Sequence, residues 1–139
     1  MKFAVLLPSV LVFACNMVHT QPSLQHGDLV LPDEWHFTSM RQLTFGGQNA
    51  EAYFSFNEKR LIFQSTRDSL HCDQEFIMDL TAGTTRMVST GSGRTTCGYF
   101  LPGDRHILFS STHAASAGCP PEPDRSKGYV WAVYPEYDI

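Results

Sequence analysis

Past its first residues, the chain alternates short apolar or aromatic runs with turn-forming residues. No window there sustains an apolar 3.6-residue period for three turns, so the pattern predicts strands and little helix. Strands are expected over His36–Phe45, Ala50–Phe56, Arg60–Thr66, Gln74–Leu80 and Thr85–Thr90. The signals between them are "GGQ", "NEK", the loop "RDSLHCD" and "TAGT". Within Gln74–Leu80, Phe76 and Met78 fall on one face and Ile77 on the other, as a period of two requires. After "GSGR", the runs "CGYFLP" and "HILFSST" restate the strands that begin at Ala50 and Arg60.

The restatement is a sequence repeat. "YFSFNEKRLIFQSTR" (Tyr53–Arg67) aligns without a gap on "YFLPGDRHILFSSTH" (Tyr99–His113), at an offset of 99 − 53 = 46. Tyr53/Tyr99, Phe54/Phe100, Phe63/Phe109, Ser65/Ser111 and Thr66/Thr112 are identical, and Lys59/Arg105, Glu58/Asp104, Leu61/Ile107 and Ile62/Leu108 are conservative. The turns "FNEK" and "PGDR" are two spellings of one tight reversal. Four short strands in a period near 46 residues have the length of a β-propeller blade. Such a unit buries its faces only against neighbouring units.

At this point the residues resemble a family. "RQLTFGGQNAEAYFSFNEKRLIFQSTRD", followed by "EFIMDL", is similar to the WD40-like blade of TolB-type periplasmic propellers. "FNEK" and "PGDR" stand where that family has an "SPDG"-type turn, and the likeness runs from Met40 to Thr112. It implies an all-β fold of about two four-stranded antiparallel propeller blades, units 46–91 and 92–139 of an incomplete propeller. A ring takes about four blades or more. The chain stops at "YPEYDI", where "EYDI" resembles the start of the "EFIM" strand at an offset of 136 − 75 = 61. The second unit then carries 61 − 46 = 15 extra residues. The expectation is the N-terminal part of a longer propeller, with His36–Phe45 as an outer strand that pairs with the last blade.

The first residues change the picture of location. "MKFAVLLPSVLVFAC" has one basic residue, Lys2, and an apolar run from Phe3 to Ala14, too short to span a bilayer. It reads as a secretory signal over residues 1–19, followed by a polar tether over 20–34. "VFAC" resembles a bacterial lipobox, which makes Cys15 a candidate lipidation site; the alternative is cleavage a few residues later. The expected location is the periplasm or outer cell surface, with contact to a membrane only through that anchor. Hydrophobic residues make up 42% and charged residues 17% of the chain, which suits a packed core rather than disorder. Net charge is −4 and falls to −5 when Lys2 leaves with the signal; there is no Lys/Arg-rich block, so nucleic acid is not an expected partner.

Candidate chemistry is sparse. Outside Cys15, the cysteines are Cys72, Cys97 and Cys119, and export favours a disulfide. The pairs read here are Cys97–Cys119 or Cys72–Cys97, with the choice left open. With His71 and His113 nearby in the unit plan, a metal site is the competing reading, but the spacing matches no compact zinc signature. "RDSLHCD" has too few alternating acidic oxygens for a calcium loop. No G-x-S-x-G occurs, and Cys97 in "TTCGY" occupies the position that Glu51 holds in the first unit. No catalytic residue, metal or cofactor is therefore assigned. The insert "HAASAGCPPEPDRSKGYVWAVYPEY" is stiffened by prolines, and its Tyr129, Trp131 and Tyr134 form a candidate binding surface.

The function this implies is a non-catalytic TolB-like module that recognises a protein, small ligand or glycan at one propeller face. The alternative is the substrate-gating propeller of a prolyl-oligopeptidase or dipeptidyl-peptidase type serine peptidase, its catalytic domain outside this chain.

Overall fold

The structure is a computed structural model that describes residues 29–139. The expected signal, Cys15 and the first part of the tether lie outside the described residues. The chain divides into two units, residues 1–41 and 42–139. In the first, Glu34 and Phe37 donate backbone hydrogen bonds to the carbonyls of Leu31 and Glu34 (3.0 and 3.1 Å), giving successive turns.

The second unit is built from antiparallel strands, with no helix among the described residues. Strands β1 (Gln48–Phe54), β2 (Arg60–Thr66), β3 (Gln74–Asp79) and β4 (Thr85–Met87) form one sheet in chain order. Strands β5 (Thr95–Phe100) and β6 (Ile107–Ser111) form a second, two-stranded sheet. No helix among the described residues is long and apolar enough to cross a membrane.

The sequence repeat is a repeat of backbone geometry. Asn49 pairs with Ser65, Ala50 with Gln64, Tyr53 with Ile62 and Phe54 with Leu61. Adding 46 to each number gives Thr95–Ser111, Thr96–Ser110, Tyr99–Leu108 and Phe100–Ile107, the observed pairs of β5 and β6. Both ladders slip by one residue at the same place, after Ala50 and after Thr96. The extra residue is a β-bulge, which bends the strand and raises its twist. The tight turns match as well: Glu58 and Asp104 are both left-handed, at φ 59° and 58°. Gly47 and Gly93 match in the same way, at φ 70° and 64°. At each, a Cβ would strike backbone 2.8 or 2.6 Å away, in Thr66 or His113, so glycine is required by conformation and by space.

Strand β3 is buried on both faces, which decides how the sheets stack. One face carries Phe76 and Met78, which pack with Phe63 under Leu43, Leu70 and Leu80. On the other, Ile77 and Ile62 pack with Phe100 of β5, flanked by Val88 and Ile107. The second hairpin thus lies on the face of the first sheet. Ile62 is 0% and Phe100 1% exposed, and full burial of each is worth about 1.5–3 kcal/mol. Polar contacts fix the register of the two sheets. Gln64 Oε1 accepts from Thr96 Oγ1 (2.9 Å), and the Thr95 amide donates to the Asp73 carbonyl (2.9 Å). Both carboxylate oxygens of Asp104 accept backbone amides of the other turn, Phe56 and Asn57, at 2.7 and 2.9 Å.

Some expected boundaries shift. No strand forms over His36–Phe45. A strand needs a ladder partner for its backbone groups, and instead Gln42 Nε2 donates to the Thr44 carbonyl at 2.7 Å while Leu43 covers the core. Strand β4 stops at Met87, not Thr90, because the Ser89 hydroxyl takes over the ladder, accepting from the Glu75 amide at 3.0 Å. Near the C-terminus, Asp138 and Ser111 exchange two backbone hydrogen bonds of 2.8 and 3.0 Å. Asp138 thereby takes the place that Gln74 has opposite Ser65. The offset there is 138 − 74 = 64, so the insert is 64 − 46 = 18 residues rather than 15.

Candidate functional site

The insert between β6 and Asp138 is pinned at its root. The disulfide joins Cys72 to Cys119, with Cα atoms 5.9 Å apart, and Cys97 is a free, exposed thiol. This corrects both expected pairings. Cys97 sits on β5 at the bulge, whereas Cys72 and Cys119 lie on adjoining loops. Arg94 adds a charged clasp: it bridges Asp73 at 3.4 Å and also pairs with Glu122 of the insert. With side chains 12% and 18% exposed, the Arg94–Asp73 pair keeps more strength than a surface one. Gln74 Nε2 donates to the Gly93 carbonyl at 2.7 Å and closes the same corner.

From this root the insert presents two aromatic rings. Tyr129 and Trp131 are 75% and 72% exposed and meet edge to face, their centroids 5.7 Å apart. Val133, 77% exposed, continues the apolar strip. Tyr134 leaves the candidate surface: it is half-buried, its hydroxyl donates to the Pro121 carbonyl at 2.9 Å, and its ring packs on Tyr137. Burial pushes the Tyr137 hydroxyl up to about 12, so it stays protonated. Tyr129 and Trp131 thus stand exposed on the insert, while Tyr134 is turned toward Pro121 and Tyr137.

A second constellation surrounds the two bulges. Glu51 and Cys97 are the left-handed bulge residues, at φ 52° and 56°. Tyr53 Oη donates to Glu51 Oε2 at 2.6 Å and meets Tyr99 edge to face at 5.4 Å. That hydrogen bond, and then the Glu51 charge, hold the Tyr53 hydroxyl above its ordinary value. The Cys97 thiol has Thr96 Oγ1 beside it at 3.4 Å and no imidazole in reach among the described residues, so no thiol–imidazole pair forms. Ser111 and His113 do approach, Oγ to Nδ1 at 2.9 Å. The first copy does the same with Ser65 and Arg67, at 3.0 Å, which makes the contact a feature of the repeat. No group of three or more His, Cys, Asp or Glu suited to a metal ion occurs among the described residues.

Beneath the second bulge lies a residue that the strand pattern missed. Glu75 of β3 is 0% exposed, and neither carboxylate oxygen has a hydrogen-bond partner. It shares the face of Ile77 and sits against Gly98, where a Cβ would collide with it. Desolvation raises its pKa from 4.5 to about 7; the Gly98 amide, near but outside hydrogen-bond geometry, offsets part of that, and the charges of Asp73 and Glu51 add to it. The sequence signal was available: a glutamate flanked by buried strand residues, with Gly98 where the first copy has Ala52.

No family model, no curated protein and no solved structure matches this chain.

Proposed function

We propose that this chain is a rigid recognition module made of propeller-type blades, acting outside the cytoplasm. Two hairpins with one register, one bulge position and one turn geometry, stacked face to face, are what tandem blades require. The Cys72–Cys119 disulfide suits an exported protein. In this reading the stacked sheets hold the insert still, and the exposed pair Tyr129 and Trp131 binds the partner, a protein or a glycan. The observation that carries the function is that pair: two large rings left in water on a loop held by a disulfide and an arginine clasp. Rigid aromatic groups give contact area at low entropic cost.

The test uses the full chain, immobilised and presented with an extract of its host's cell envelope and with a glycan panel. A saturable partner is expected, lost in the Tyr129→Ala/Trp131→Ala double variant and retained in Arg125→Ala. Equal capture by the double variant would overturn the reading, and so would the absence of any saturable partner.

A further inference from the structure

Between the two sheets, at the end that carries the tight turns, lies a pocket of about 210 Å³. Arg60, Arg86 and Arg105 line it, each from a different element: the start of β2, β4, and the turn before β6. In a chain of net charge −4 this is a concentration of positive charge. None of the three forms a salt bridge among the described residues. The one carboxylate lining the pocket, Asp104, is already committed to the amides of Phe56 and Asn57. The lining charge is therefore 3 − 1 = 2 positive. Asp79, opposite Arg60 across the β2–β3 ladder, is likewise engaged, accepting from the amides of Thr81 and Ala82 at 2.9 and 2.8 Å.

Arg60 is set in place before any ligand arrives. It is half-buried, its Nη2 donates to the Asp104 carbonyl at 2.7 Å, and its guanidinium lies 5.0 Å over the Phe100 ring. A guanidinium held this way loses little freedom on binding, and its remaining N–H groups match the paired oxygens of an oxyanion. Arg86 and Arg105 are exposed and free to close on a bound group. The rest of the lining is apolar, with Ile77, Val88 and Ile107 beside Phe100. The volume falls below the roughly 300–1,000 Å³ of ordinary ligand sites, which limits the occupant to a small molecule.

We infer that this pocket binds a small phosphate monoester, its dianionic head held by Arg60, Arg86 and Arg105 and its short apolar group against the partly exposed Val88 and Ile107. The site is separate from the aromatic strip of the insert and stands whether or not that strip binds a partner.

Calorimetric titration of the full chain at low ionic strength tests it, with phenyl phosphate, phenyl sulfate and inorganic phosphate as probes. Phenyl phosphate is expected to bind saturably. It should bind more tightly than inorganic phosphate, which lacks the apolar group, and than phenyl sulfate, which carries one charge less. Affinity should fall at least tenfold in Arg86→Ala/Arg105→Ala and stay unchanged in Arg125→Ala. Both varied residues are exposed, and an unaltered denaturant midpoint of the double variant shows that it is folded. Unchanged affinity in the folded double variant overturns the inference, as does phenyl sulfate binding as tightly as phenyl phosphate, or no saturable binding of phenyl phosphate at all.

Discussion

Glu51 and Cys97 stand 97 − 51 = 46 residues apart and hold the same left-handed conformation, φ 52° and 56°, at the same bulge of two hairpins. Their side chains share no chemistry, so the backbone and not the side chain is what repeats. A residue with a Cβ in that region costs about 1–2 kcal/mol that glycine does not.

Cys97→Gly is therefore expected to raise stability by about 1 kcal/mol, and Cys97→Ala to give no gain. Glycine's larger unfolded-state entropy takes back part of the relief, so the comparison with alanine is the informative one. Denaturant midpoints of both variants and the parent measure it. A glycine variant no more stable than the alanine variant would show that the bulge is not strained.

The disulfide closes a long loop, since Cys72 and Cys119 are 47 residues apart. Constraint of the unfolded chain over that length contributes about 2–4 kcal/mol. Cys72→Ser/Cys119→Ser should lower stability by that amount under oxidising conditions and make it insensitive to reductant. The parent should show one reactive thiol, Cys97, beyond Cys15 where that residue is retained. Peptide mapping that finds Cys97 in the bond instead would refute the assignment.

Phe100 joins the sheets, being 1% exposed and packed with Ile62 and Ile77. Phe100→Ala should cost about 3–5 kcal/mol. The loss should be uneven. Amides of β5 and β6 should exchange faster first, because β2 and β3 keep their second core around Phe63, Phe76 and Met78. Uniform acceleration across all six strands would mean that the hairpins do not separate.

Much of this architecture was legible. The short apolar runs placed β2 to the residue and β3 to within one, because strands buried on both faces leave dense apolar signals. The gapless repeat anticipated that β5 and β6 copy β1 and β2. What was not legible depends on partners distant in sequence. His36–Phe45 has strand-like composition, but composition does not supply a ladder partner. The disulfide followed the spatial meeting of two loops, which spacing along the chain does not encode. The bulges hide in an alignment without gaps, since both copies carry the same extra residue. Of the candidate surface, Tyr129 and Trp131 were readable as exposed rings, while Tyr134 turned on one hydrogen bond to Pro121.

Glu75 carries the pH dependence. Its folded pKa of about 7 lies above its ordinary 4.5, so the folded state keeps a proton that the unfolded chain releases. Below pH 4.5 both states hold the proton, and the burial of Glu75 costs nothing extra for charge. As pH rises from 4.5 to about 7, stability should fall, reaching a total on the order of 3 kcal/mol, and then level off. Asp79 works in the opposite sense, since amides of Ala82 and Thr81 hold its pKa down, so the raw curve mixes both. The difference between parent and Glu75→Gln isolates the residue: the variant should gain on the parent through that window and run parallel to it above. A difference that stays constant from pH 4 to 8 would show that the Glu75 carboxylate is solvated rather than sealed between the two sheets.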